Sequence, residues 1–231
     1  MPISIIQQAS HCGDGMEFDQ RIRIHEVRTL SDDWAVLRKT TFDFRRRDGT
    51  WQRQSRETYD RGDGAVILLF APDRRTVVLV RQFRLPAYVN GWRDLLIEAP
   101  GGLLDRADAA ETVRREVEEE TGFRVTEVQP VLRAFMSPGS VTERLHFFVA
   151  RYEAGNRVST GGGDAAEGED IEVLELTIED ALAGIERGEI CDGKTIILLQ
   201  YAALRLFPAD PAGARTDGIE APEGDAGPAN G

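Results

Sequence analysis

The chain's 231 residues suffice for one sizeable domain, or one domain with a small appendage, and an apolar share of 41% suits a globular protein. It carries 40 acidic against 28 basic residues, net −12, which argues against binding nucleic acid through phosphates. No apolar run approaches the roughly 18–20 residues that span a bilayer, and the start MPISIIQQASHCGDG lacks the basic-then-apolar pattern of a secretory leader, so a cytoplasmic protein with no membrane partner is expected.

Residues 1–16 carry no periodic pattern and are expected to be disordered. RIRIHEVRTL and WAVLRKTTFDF partly alternate apolar and polar residues, as strands do, and RRRDGTWQRQSRETY contains Asp48-Gly49, a two-residue hairpin signal. Residues 17–62 are therefore predicted as an antiparallel β region able to form a small sheet of its own. Residues 63–207 read as the main domain. AVILLF and TVVLVRQF look like buried strands joined by the turn APDRR. Between Asp108 and Thr121 the pattern turns helical, with Asp108 as cap and Glu111 three residues on. Strands follow at roughly 123–135 and 143–151, and IEVLEL is another. Thr177 with Asp180 opens a helix that Gly188 closes, and Asp192 opens TIILLQYAALRLF. The tail 208–231, rich in Pro, Gly, Ala and acid, cannot bury enough apolar surface to order itself. Strands before, between and after helices predict an α/β fold with a mixed sheet and helices on its faces. Cys12 and Cys191 form no ligand or redox spacing and read as ordinary thiols. His25 and His146 fall in strand-like runs and read as packed side chains.

The acid excess is concentrated in Glu111–Glu120, Gly161–Glu172 and the tail. In REVEEETG, Glu116 and Glu120 lie one helical turn apart with Glu119 beside them, while Glu118 points away. Like charges at that spacing repel by a few tenths of a kcal/mol. A charge run most often simply faces water. A divalent cation would turn the repulsion into attraction, since hard cations take oxygen ligands. Gly101 and Gly102, just upstream, permit close backbone approach and leave a carbonyl available to such an ion.

The segment EAPGGLLDRADAAETVRREVEEETGF resembles the signature of the Nudix hydrolases, G-x5-E-x7-R-E-U-x-E-E-x-G-U with U apolar. Arg115, Glu116, Val117, Glu119, Glu120, Gly122 and Phe123 match its second half and Gly102 its opening glycine. The spacing from Gly102 to Arg115 is one residue short, with Ala107 or Asp108 where the first glutamate should stand. From about Leu30 to Leu206 the chain is similar to the GDP-mannose pyrophosphatase branch, close to the ADP-ribose hydrolases, through YDRGDGAVILLF, VVLVRQFRLPAYVNG, MSPGSVTERLHFF, GGGDAAEGEDIEVLEL and GEICDGKTIILLQYA.

The resemblance implies a Nudix fold, Mg²⁺ (or Mn²⁺) held by the Gly101 carbonyl, Glu116, Glu120 and Glu169, and a homodimer that swaps its N-terminal strands. Catalytic roles fall to Glu120, Glu169, Glu119 and Arg115, the last able to pair with neighbouring carboxylates and hold them in place. Substrate contacts fall to Trp34, Ser55, Arg56, Glu57, Arg84, Gly101, Gly102, Leu103, Glu120, Glu143, Gly168, Glu169 and Lys194. The residues themselves leave several of these open. Glu169 sits in the second acidic cluster, on a Gly-rich loop that could instead be solvated, and Glu167 could replace it. Arg84 precedes Pro86 as either a surface arginine or a diphosphate contact. Lys194 stands near a helix start, where the dipole disfavours a cation unless an anion joins it. Glu143 is a strand-edge charge or a substrate contact. Trp34 is a core aromatic or a platform for the base. The implied reaction is GDP-mannose plus water to GMP plus mannose 1-phosphate. An ADP-ribose pyrophosphatase, and a nucleotide-binding regulator without turnover, are the alternatives.

Overall fold

The computed structural model describes residues 18–104 and 108–207, without the Glu167 side chain. The expectations for residues 1–16, for Cys12, for Ala107 and for the tail lie outside those residues. Two sheets carry the chain. The first is antiparallel and three-stranded, from β1 (Ile22–Asp32), β2 (Val36–Arg45) and β3 (Trp51–Asp60) in that order. It is the separate sheet that the strand-only N-terminal region predicts. Its hairpin loop differs from expectation. Arg45 pairs with Trp51, so five residues turn the chain rather than two. Only Gly49 takes positive φ, and Asp48 Oδ1 instead accepts hydrogen bonds from Thr50 N (2.9 Å) and Thr50 Oγ1 (2.6 Å). A two-residue turn would need positive φ at both central positions.

The second sheet holds β4 (Gly64–Ala71), β5 (Thr76–Gln82), β6 (Leu96–Glu98), β7 (Gly101–Leu103), β8 (Gln129–Phe135), β9 (Arg144–Arg151) and β10 (Glu172–Thr177). Its order is β10-β5-β4-β9-β8, with β4 and β9 parallel and its other pairings antiparallel. Helix α1 (Leu85–Val89) follows β5, α2 (Ala109–Thr121) follows β7, and α3 (Ile178–Glu186) and α4 (Gly193–Arg205) follow β10. Every residue of β4 is buried, as a strand covered on both faces must be. Its side chains alternate between two cores. Val66, Leu68 and Phe70 pack with Ile178 and Ala181 of α3 and Leu198, Leu199 and Ala202 of α4. Ala65, Ile67 and Leu69 pack with Val113 and Val117 of α2. The predicted sheet between helices is thus formed, and its apolar burial is the main stabilising term.

The caps act as the sequence suggests. Asp108 accepts from Ala110 N, Thr177 from Asp180 N and Asp192 from Thr195 N. The expected strand at 123–135 is shorter, because Phe123 makes only an isolated bridge to Arg157. Helix α1 and strands β6 and β7 are too short for a periodic signal. They are also what builds the site. Strands β4 and β5 pair only through Leu69–Ala71 and Thr76–Val78. Beyond that point they part. β7 pairs with the start of β4, β6 with the end of β5, and Ile67 N donates to Pro100 O (3.0 Å) between them. The split presents Glu98 and the Gly101-Gly102 loop side by side, with α2 packed on β4 and β7.

Candidate active site

The loop can enter the split only because it lacks side chains. A Cβ at Gly101 would collide with the Ala65 carbonyl, and one at Gly102 would lie 2.6 Å from the Glu116 carboxylate carbon. The two glycines therefore let the acids of α2 lie directly against backbone. Arg115 holds that arrangement from outside, with Nη2 2.7 Å from Glu116 Oε1 and Nη1 3.7 Å from Glu119 Oε2. Glu118 points away, paired with Arg124 at 2.7 Å.

Glu120 is 2% exposed, an uncommon place for a carboxylate. Gly101 supplies one backbone hydrogen bond, while Oε2 is buried without a partner among the described residues. Burial, then the nearby Glu116 and Glu169, push its pKa up to about 8, against a smaller opposing pull from Arg84. An orphaned oxygen among acids suits a dication, and the donors are all hard oxygens. The residues fit a divalent metal. The carboxylates neighbour one another without closing into a cage: among the described residues no three side-chain ligands already surround an ion-sized point.

Glu169 arrives on the Gly-rich loop. Gly162 N and Gly163 N donate to the carbonyls of Glu120 (2.9 Å) and Glu119 (3.2 Å), docking the loop on the end of α2. Asp164 N donates to Glu169 Oε2 (3.0 Å), and a Cβ at Gly163 would overlap that carboxylate. Gly168, at φ 78°, ends the short helical turn before Glu169. The loop is thus docked on the end of α2 through Gly162 and Gly163, while residues 164–166, Gly168 and Asp170 stay exposed.

Glu98 is also 2% exposed, and Arg84 and Lys194 converge on it. Arg84 Nε donates to Oε1 (2.8 Å) and Nη2 to Oε2 (3.1 Å), while Lys194 Nζ donates to Oε2 (2.6 Å). Lys194 also pairs with Asp192 at 2.9 Å. Thr195 Oγ1 donates to Asp192 Oδ2 (2.6 Å) and accepts from Ala99 N (2.6 Å), stitching the start of α4 to the end of β6. Burial pushes the Glu98 carboxyl up, but Lys194 and Arg84 together outweigh it and hold it below the usual range. Arg84 is the N-cap residue of α1, and both cations are paired with protein carboxylates. Protein carboxylates, rather than an anion alone, explain a lysine at the start of α4.

Glu143 is paired with Arg61 (Nη2 to Oε1, 2.7 Å) and mostly buried. A Cβ at Gly64 would lie 3.4 Å from Glu143 Oε1 and 3.3 Å from the Gly102 carbonyl, so this acid flanks the same loop. Trp34 is not a core residue. It sits in the bend between β1 and β2, 69% exposed, with the Arg61 guanidinium 6.0 Å from its ring. Ser55, Arg56 and Glu57 are exposed on β3, whose end meets the main domain where Tyr59 N donates to Ser140 O (2.8 Å). Leu103 is 37% exposed at the end of β7. His25 is not packed as expected. It is partly exposed, hydrogen-bonded to Asp43 (2.7 Å) and Arg53 (3.0 Å), whereas His146 is partly buried.

Comparison with known proteins decides the family. Residues 60–196 match the model described as NUDIX domain, more than half of the chain. The protein is a Nudix family member. Residues 21–59 match the model described as GDP-mannose pyrophosphatase NudK N-terminal domain. Similar relatives carry the name GDP-mannose pyrophosphatase. That of Pectobacterium atrosepticum is 52% identical over 185 residues, 80% of this chain and 95% of that protein. Those of Citrobacter koseri and Salmonella arizonae are 49% and 50% identical over 183 residues, 79% of this chain and 95% of each. Within this Nudix site, sequence reasoning misses Glu98 and Arg61. Glu98 leaves one trace, a single acid inside the otherwise apolar run LLIEAP.

Proposed function

We propose that the protein hydrolyses the diphosphate bond of GDP-mannose, with Mg²⁺ as its metal and Mn²⁺ as a substitute, to give GMP and mannose 1-phosphate. The observation that carries the reading is the orphaned Glu120 oxygen, crowded by Glu116 and Glu169 beneath the Gly101-Gly102 loop. The names of relatives about half identical over four-fifths of the chain support the substrate. Glu116, Glu120, Glu169 and the Gly101 carbonyl would hold the metal. When bound, it would supply charge neutralisation for the diphosphate and make a water acidic enough to give up a proton and become a nucleophile toward phosphorus.

The chain's own residues do the positioning. Arg84 and Lys194 offer the bridge two cations. Arg115 orients Glu116 and Glu119. Glu169, Glu143 and Glu119 are the acids available to take a proton from the attacking water. Gly102, Leu103 and Gly168 line the approach of the substrate, and Trp34 stacks on the base. Ser55, Arg56 and Glu57 reach the site of the other protomer in a homodimer built through the first sheet. That sheet leaves Ile24, Val27, Leu30 and Trp34 exposed, which supports a partner there. No described helix is long and apolar enough to cross a membrane, and Cys191 is a free exposed thiol, in keeping with action in the cytoplasm.

The test is kcat/KM of the purified enzyme for GDP-mannose against ADP-ribose in Mg²⁺. A preference for ADP-ribose overturns the substrate, and tight binding without product points to a regulator instead. Light scattering reports the dimer separately.

A further inference from the structure

We propose that Glu98 is a positioning residue for substrate binding: its buried carboxylate locks the Arg84 guanidinium and the Lys194 ammonium into one anion cradle. The proposal rests on the reading of those two cations as substrate contacts.

Two cations placed together repel, and two long side chains free in water seldom share one geometry. Here both meet on the same atom. Arg84 Nη2 and Lys194 Nζ lie 3.1 and 2.6 Å from Glu98 Oε2, and Arg84 Nε closes the fork on Oε1 at 2.8 Å. A planar guanidinium gripped at two nitrogens has its plane fixed. Neither cation is used up. Arg84 Nη1 has no hydrogen-bond partner among the described residues. Lys194 has three N–H donors, of which Glu98 and Asp192 engage two. The Arg84 side chain is 41% exposed and that of Lys194 18%, so both side chains keep some access to solvent while their anchor does not.

Placement aims the cradle. Glu98 ends β6, three residues before Gly101 on the chain that fills the sheet split. The Glu116 carboxylate of α2 lies against Gly102, on the same stretch of chain. The cradle and the acids of α2 therefore face the same loop. Stability alone is a poor reason for Glu98, because a well-packed apolar residue usually serves as well as a buried ion pair. Pre-organisation is a better one: the ordering entropy of two flexible cations is met on folding rather than on binding.

The test measures the Kd of GDP-mannose by calorimetry in chelator, with kcat and KM in Mg²⁺, for Glu98→Gln, Arg84→Ala, Arg84→Lys and the Glu98→Gln/Arg84→Ala double variant. Loss of a charge-assisted contact weakens binding by about 10-fold or more. Expected are such a loss in both Kd and KM for Glu98→Gln and for Arg84→Ala, a double variant no worse than its weaker-binding single, and a smaller change in kcat. Arg84→Lys, which keeps the charge but has no fork, should lose nearly as much as Arg84→Ala. This variant changes a partly exposed side chain and stays informative if Glu98→Gln fails to fold. Wild-type affinity in folded Glu98→Gln, additive losses in the double variant, or wild-type affinity in Arg84→Lys would each overturn the positioning role. Wild-type affinity in Arg84→Ala would instead remove the reading of Arg84 as a substrate contact.

Discussion

Two glutamates in this molecule are equally buried, at 2% exposure, and behave in opposite ways. Glu98 sits between Arg84 and Lys194, and its carboxyl is held below the usual range even though burial alone would raise it. Glu120 sits among Glu116 and Glu169 with one oxygen unmet, and its pKa rises to about 8. Burial sets the stakes by removing water, and the neighbours decide the sign. The protein completes the first site with its own cations. It leaves the second short of positive charge, which is the mark of a place kept for an ion from outside.

The contrast is sharpest if the same substitution is made at both. Glu120→Gln should cut kcat by about 100-fold or more, on the scale of losing a key electrostatic group in an active site. Its circular dichroism should remain that of the parent, because the helix loses repulsion along with a ligand. Unimpaired turnover would end its proposed role as a ligand. Glu98→Gln should change kcat less and, besides weakening substrate binding, lower stability by about 2–3 kcal/mol in urea melts. That figure is discounted from a fully buried pair because Arg84 remains two-fifths exposed. A stabilising Glu98→Gln would erase the distinction.

Gly102→Ala tests how the acids are seated. A methyl there would meet the Glu116 carboxylate, the movable end of a side chain, so the fold should survive. Mg²⁺ affinity, read by calorimetry, should fall by about 10-fold if Glu116 is the ligand proposed, in line with losing the support of one metal ligand. Wild-type affinity would show that Glu116 has room to spare.

The smallest effect is a pH slope. Glu120 has a folded-state pKa of about 8 against an ordinary 4.5, so the folded chain binds its proton more tightly than the unfolded chain. The associated stability is fully present below about pH 4.5 and is lost as pH rises through 8. In chelator, the unfolding free energy from urea melts should therefore fall over that window, by about 1 kcal/mol or more. The fall should vanish in Glu120→Gln, and Mg²⁺ should oppose it. A flat profile for the parent chain would mean that Glu120 is better solvated than its burial implies.

Much of this was legible from local chemistry. The spacing of Glu116 and Glu120 placed them on one stripe of α2 because a helix repeats every 3.6 residues. Asp108, Thr177 and Asp192 marked helix starts because their side chains meet nearby N–H groups. The glycines at 101 and 102 announced a close approach. All of these relations join residues that are near in the chain, where backbone geometry alone dictates who meets whom.

What stayed hidden joins residues far apart. Glu98 and Lys194 are separated by 96 positions, and Arg61 and Glu143 by 82. No period links them, and α1, β6 and β7 are too short to leave one. Their meeting depends on β4 and β5 parting after three paired residues and on which chain fills the gap. Trp34 shows the same limit from the other side: an aromatic in a β-rich stretch reads as core, yet nothing in its neighbours reveals that the first sheet leaves it exposed. Residue order was enough to name the acids and the kind of ion they suit. Which buried acid receives a cation from the protein, and which is left wanting one, was settled by packing, because electrostatic balance depends on distance in space.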